Sequence, residues 1–217
     1  MEVRELLKTV DHTILKPEAT WEEVRHICDE GIWANAASIC ISPVFVSQVA
    51  DYLEGRLPVC TVIGFPHGTA TTQSKVWEAR NAIYNGADEV DMVIHVGMVK
   101  EKKWEQVLKE LRVVKEACEG RILKVIVEAC LLTREEKIRL CHLVSESGAE
   151  YIKTSTGYST GGATLEDVSL FRAQIAPHVK IKAAGGIRSF EVAEAFLLAG
   201  ADRLGSSALV PIAKSLK

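Results

Sequence analysis

The chain has 217 residues, 47% apolar and 25% charged, with 26 basic against 29 acidic side chains and a net charge of −3. A chain of this length buries roughly 70% of its unfolded surface and needs no disulfide or metal to hold a core, and its apolar content excludes a disordered or collagen-like chain. The charge balance leaves no basic face for nucleic acid and no polybasic patch for a membrane, and no apolar run approaches the roughly 18 residues of a membrane helix.

The charged start, Met1 to Glu5, lacks the apolar stretch of an export signal, so a cytoplasmic location is expected. Cys28, Cys40, Cys60, Cys118, Cys130 and Cys141 form no C-x-x-C pair and read as buried thiols in a reducing compartment.

Short β-branched runs alternate with longer helical patterns along the whole chain. After a short N-terminal helix, Thr13–Leu15 reads as the first strand, and Trp21–Glu30 as a helix behind the cap Thr20. Ala37–Ile41 and Val59–Ile63 read as strands, Ser74–Asn85 as a helix and Glu89–Ile94 as a strand. Next come a helix at Lys102–Glu119, a strand at Leu123–Glu128, and a helix at Arg134–Ser147 opened by the capping box of Thr133 and Glu136. Tyr151–Thr154, Val179–Ala183 and Arg203–Gly205 complete the strands, separated by helices at Leu165–Ala176 and Phe190–Ala199. Asn85-Gly86-Ala87-Asp88, Ser147-Gly148-Ala149-Glu150 and Ala199-Gly200-Ala201-Asp202 repeat one punctuation, a glycine that stops a helix just before a strand. About eight strand–helix units predict an α/β fold, a closed (β/α)8 TIM barrel formed by residues 1–217 as a single domain. The alternative is a doubly wound open sheet, which would bind a nucleotide through G-x-G-x-x-G, and that motif is absent.

In such a barrel the chemistry lies at the C-terminal ends of the strands. Lys153 and Lys182 sit near the ends of neighbouring strands. If their faces point inward, crowding and desolvation disfavour protonation and leave a nucleophilic amine near neutral pH. A single strand-end lysine would more simply reach out to solvent; two on adjacent strands point to function. Asp91, inside an apolar strand, is either an ion-pair partner of these lysines or a carboxylate that moves protons on a bound carbonyl, and the two roles are compatible. Glu128 is a weaker candidate of the same type, supporting the site from behind. The turns Gly185-Gly186 and Gly205-Ser206-Ser207 follow the last two strands, where a barrel offers backbone N–H groups to a phosphate, and Gly157 adds to them. The six histidines form neither H-x-H nor H-E-x-x-H, so no metal is expected.

The segments Asp11-His12-Thr13-Ile14-Leu15-Lys16-Pro17, Ile63-Gly64-Phe65-Pro66, Glu89-Val90-Asp91-Met92-Val93-Ile94, Lys153-Thr154-Ser155-Thr156-Gly157 and Lys182-Ala183-Ala184-Gly185-Gly186-Ile187-Arg188 together resemble the deoxyribose-phosphate aldolase family. The resemblance implies a metal-independent, cofactor-free class I aldolase on a TIM barrel. Such an enzyme joins acetaldehyde and glyceraldehyde 3-phosphate reversibly into 2-deoxyribose 5-phosphate. It makes Lys153 the Schiff-base lysine, Lys182 its cationic neighbour in proton transfer, and Asp91 the acid/base residue. The phosphate would rest on Gly157, Gly185, Gly186, Ser206 and Ser207, with Asp11 and Thr13 behind the lysines. The expected partners are small phosphosugars and aldehydes and further copies of the chain, as a dimer or tetramer. Where the family usually has Asn after Met-Val-Ile, this chain has His95. The rival readings are another phosphosugar barrel, an isomerase or epimerase that forms no imine, and a non-catalytic barrel that senses sugar phosphates.

Overall fold

The computed structural model describes residues 1–216. Its strands are β1 (Val10–Ile14), β2 (Ser38–Ile41), β3 (Val59–Ile63), β4 (Glu89–Val93), β5 (Ile122–Ile126), β6 (Tyr151–Lys153), β7 (Lys180–Ala184) and β8 (Arg203–Ser206). All pair in parallel and in chain order, and β1 closes the ring on β8 through Val10–Leu204, Asp11–Gly205 and His12–Ser206. The helices α1 (Val3–Leu7), α2 (Trp21–Ala34), α3 (Val46–Leu53), α4 (Thr72–Tyr84), α5 (Val96–Lys100), α6 (Trp104–Ala117), α7 (Arg134–Ser147), α8 (Leu165–Gln174), α9 (Phe190–Leu198) and α10 (Leu209–Ser215) surround it. This is the (β/α)8 barrel expected, short N-terminal helix included. None of these helices is long and apolar enough to cross a membrane.

The main apolar core is a ring between sheet and helices, formed by outward strand residues such as Ile39, Val90, Val125, Ile152 and Leu204 packed under buried helix residues such as Val24, Leu111, Val144 and Phe171. Inside, the alternate strand positions hold charge: Asp11, Glu89, Asp91, Lys124, Lys153 and Lys182 are all buried. A barrel interior of this kind is normally filled by branched apolar residues. Here it is an ion network, and that inversion makes the site.

Several boundaries differ from the sequence reading. β1 begins at Val10, earlier than expected, because Asp11 is an inward-facing strand residue rather than part of a polar approach. α2 runs on to Ala34, because Gly31 is a packing position: a Cβ there would meet Ile39 Cδ1 at 2.2 Å. β5 stops at Ile126, and Glu128 adopts left-handed backbone (φ 53°) ahead of a 3₁₀ turn at Ala129–Leu131. That turn exposes Cys130, the one exposed thiol, while the other five cysteines are buried as expected. The short helices α3, α5 and α10 have no counterpart in the sequence reading.

Candidate active site

The two lysines and the aspartate singled out by their strand positions meet at one atom. Asp91 Oδ2 lies 2.8 Å from Lys153 Nζ and 2.7 Å from Lys182 Nζ. β4 supplies the carboxylate and β6 and β7 the amines, with Lys153 and Lys182 in direct register across the β6–β7 pair. Lys182 also reaches Asp11 Oδ2 at 2.5 Å, and Asp11 is fixed in turn by Ser38 Oγ at 2.8 Å and Arg203 Nη1 at 2.6 Å. Gly205 leaves room for this arrangement, since a Cβ there would come within 3.2 Å of Lys182 Cε.

A third lysine completes the set. Lys124, in register with Asp91, lies 2.8 Å from Asp91 Oδ1, 2.6 Å from Glu89 Oε2 and 3.2 Å from Cys60 Sγ. Arg203 joins from below, 3.4 Å from Glu89 Oε2 and 3.3 Å from the Tyr151 hydroxyl. None of Lys124, Glu89 and Arg203 stood out in the sequence as site residues. The structure also gathers Cys40, Cys60 and Asp91, and separately Asp11, Cys60 and Glu89, into donor sets of metal-ligand size that the scattered sequence positions did not suggest. The Lys124 ammonium already contacts members of both sets, so it supplies the positive charge that a cation would bring there.

The charges decide the protonation states. Burial works to raise the Asp91 carboxyl, but the ammonium groups of Lys124, Lys153 and Lys182 outweigh it and hold Asp91 well below the usual carboxylate range. Asp11 is held down similarly, against burial, by Lys182, Lys124 and Arg203. For Lys182, burial favours the neutral amine, yet Asp11 and Asp91 prevail and lift it above an ordinary lysine. The expectation that crowding would discharge one of the two lysines therefore fails for Lys182. The adjacent carboxylates more than offset the like charge, and Lys182 stays an ammonium.

At the barrel mouth Lys153 opens into a cavity of about 200 Å³ lined also by Thr13, Thr156, Gly157, Gly185, Gly186, Ser206 and Ser207. All the residues expected to hold a phosphate thus line the same cavity. Gly157 and Gly186 have positive φ (86° and 84°), and a Cβ at either would face open space. Ser206 differs from Ser207 in kind: its hydroxyl donates to the Ile187 carbonyl at 2.8 Å and accepts from Ala208 N at 3.1 Å, so it builds the turn. Thr13 Oγ1 is taken up by the Asp11 carbonyl at 2.7 Å. Glu128 accepts from Thr156 N at 3.1 Å and from Thr156 Oγ1 at 2.5 Å, fixing the loop that follows Lys153. Across the mouth Phe65 meets Tyr158 edge-on, with ring centroids 5.4 Å apart. His95 accepts from Met98 N at 3.2 Å as the cap of α5, a role that an asparagine side chain fills equally well.

A buried amine touching a carboxylate that also holds a second, protonated amine can add to a carbonyl and exchange protons locally. The neighbouring glycine- and serine-lined turns are of the kind that bind an anion. A family profile described as DeoC/LacD family aldolase matches residues 6–205. The chain is 50% identical over 213 residues to a deoxyribose-phosphate aldolase of Clostridioides difficile, covering 98% of this chain and 97% of the relative. It is 52% identical over 217 residues to one of Streptococcus agalactiae, covering 100% and 97%. Among solved structures, a deoxyribose phosphate aldolase from Aeropyrum pernix, described as a unique tetramer, superposes with a TM-score of 0.91 at 33% identity, covering 100% of this chain and 94% of that one.

Proposed function

The chain belongs to the DeoC/LacD family of aldolases, and on that footing we propose that it cleaves 2-deoxy-D-ribose 5-phosphate reversibly to acetaldehyde and D-glyceraldehyde 3-phosphate through an imine on Lys153. The observation that carries the reading is the shared Asp91 oxygen, 2.8 Å from Lys153 Nζ and 2.7 Å from Lys182 Nζ, beside a cavity lined by Gly157, Gly185, Gly186, Ser206 and Ser207.

The open-chain sugar enters with its phosphate on the Gly185–Gly186 and Ser206–Ser207 turns and its C1 aldehyde towards Lys153. The amine adds to C1, and loss of water gives the imine. Removal of the C3 hydroxyl proton breaks the C2–C3 bond: C3 becomes the aldehyde of glyceraldehyde 3-phosphate, and the electron pair stays on C2 as an enamine. A proton returned to C2 and hydrolysis of the imine release acetaldehyde and restore the amine. Asp91 and the protonated Lys182 handle these protons, and Asp11 and Lys124 keep both in place. No step calls for a metal or organic cofactor.

The same reading treats residues 1–217 as one domain acting in the cytoplasm on small aldehydes and phosphosugars, and assembling as a homodimer or homotetramer. The tetramer described for the Aeropyrum relative and the 67% and 89% exposure of Trp77 and Tyr84 on α4 support assembly. The decisive experiment is acetaldehyde with borohydride followed by peptide mass spectrometry. A reduced adduct on Lys153, lost in Lys153→Ala together with cleavage activity, is the expected result. Full-yield trapping on another lysine would overturn the assignment, and no trapping at all would favour an isomerase or epimerase.

A further inference from the structure

We propose that the buried pair His12–Glu30 is a positioning element that grips the Ser206–Ser207 turn from outside the barrel and so sets the affinity for the substrate's phosphate. The proposal rests on the reading of that turn as the phosphate site. Along β1, Asp11 faces the ion network, so His12 projects the opposite way, into the layer between barrel and helices. That layer is mainly apolar, and a carboxylate within it is costly unless paired, as Glu110 is with Lys75 elsewhere in the layer. His12 is fully buried, and its Nε2 lies 2.9 Å from Glu30 Oε2 of α2. Its bond to Glu30 is the ring's one direct hydrogen bond, and the Ser206 backbone is a further polar group acting on the ring. None of the steps assigned to the aldol chemistry uses this pair.

Its location ties it to the turn at both ends. Across the strand pair that closes the barrel, His12 is in register with Ser206, whose hydroxyl organises the turn. Glu30 Oε1 reaches Lys214 Nζ at 3.3 Å, on α10, the helix into which the turn leads. It also faces His26 Nε2 at 3.3 Å. The strand entering the turn is therefore fixed through β1, and the helix leaving it through Glu30. Behind the turn lies a second cavity of about 710 Å³, bordered by Thr13, His26, Glu30, Ser207 and Pro211. Released from the pair, the turn has room to withdraw into that space, away from the wall built by Gly185 and Gly186.

The test compares deoxyribose 5-phosphate with unphosphorylated deoxyribose as substrates, and measures inhibition by inorganic phosphate, in the parent, His12→Leu, Glu30→Gln and His12→Gln. His12→Leu should raise KM for the phosphorylated sugar and Ki for inorganic phosphate about fivefold or more, a loss on the scale of one hydrogen bond. In the same variant kcat/KM for deoxyribose should stay within about twofold. Glu30→Gln should move both constants in the same direction, by less. His12→Gln, which keeps an amide N–H near the position of Nε2, should restore near-parental phosphate affinity. Equal losses on both substrates, unchanged phosphate inhibition in His12→Leu, or failure of His12→Gln to restore affinity would each overturn the proposal. Should His12→Leu not fold, Glu30→Gln and His12→Gln decide by the same criteria. Failure of borohydride trapping in the parent would strike the aldolase reading instead, while inorganic phosphate inhibition would still report on the turn.

Discussion

Replacing Lys124 with methionine tests whether charge pairing holds the barrel interior together. Lys124 is fully buried and contacts Asp91 at 2.8 Å, Glu89 at 2.6 Å and, more distantly, Asp11 at 3.6 Å. Methionine is similarly long and unbranched, so the substitution removes the charge while leaving little cavity. Stranding one side of a buried pair costs about 3–5 kcal/mol. Lys182 and Arg203 remain to hold the three carboxylates, which favours the lower end, about 3 kcal/mol, or a Tm lowered by about 6–12 °C in a chain of this size. The pH dependence separates pairing from packing. Asp91 is depressed in the fold, so its contribution is present above its unfolded value near about 3.9 and is lost as pH falls through the folded one. Lys124 is raised in the fold, so its contribution is complete below about 10.4 and is lost as pH rises through the folded value. The stability gap between parent and variant should therefore be widest between about pH 4 and pH 10, and should narrow below that window. Urea unfolding at pH 7, 5 and 3 measures it. A loss under about 1 kcal/mol at pH 7, or one that grows as the pH falls to 3, would refute the argument.

Two further substitutions probe the site. Gly186→Val places a side chain where φ is 84° and the space ahead is open; it should raise KM for deoxyribose 5-phosphate well beyond that for deoxyribose, and equal losses would indicate general damage to the loop. Lys182→Arg keeps the charge that faces Asp91 but releases a proton poorly, so borohydride trapping on Lys153 should persist while turnover falls about a hundredfold or more. Parental turnover in that variant would remove Lys182 from the proton path.

The sequence made the barrel legible because each strand–helix unit repeats one alternation of patterns, and the lysine pair legible because each falls near the end of its expected strand, Tyr151–Thr154 or Val179–Ala183. Lys124 carries the same mark, a lone charge in Leu123-Lys124-Val125, but it stands near the start of the expected strand Leu123–Glu128, outside a search confined to strand ends. Glu89 and Arg203 open their strands and so read as boundary residues, although both turn inward. His12 falls just outside the expected first strand Thr13–Leu15; closure on β8 places it mid-strand and facing outward. The fate of the Ser206 hydroxyl was illegible for another reason, because its acceptor, the Ile187 carbonyl, belongs to the preceding strand–helix loop. Alternation tells which face a residue takes. What waits on that face depends on closure of the ring.

Closure also explains why so many charges can share one interior. Asp11, Glu89 and Asp91 are matched by Lys124, Lys182 and Arg203, three carboxylates against three cations, each carboxylate in contact with at least two of them. Lys153 is additional to that balance, although it touches the same Asp91 oxygen as Lys182. With Lys153 a neutral amine the three carboxylates still face three cations, whereas the further loss of Lys124 or Lys182 would leave three carboxylates against two. The network thus gives the two lysines different charge surroundings despite their near-identical contact with Asp91. Lys182 belongs to the balanced set of charges, and Lys153 stands outside it, which supports the proposed role of Lys153 as the imine-forming amine. A sequence shows two lysines with equal claims; the carboxylates on β1 and β4 distinguish them.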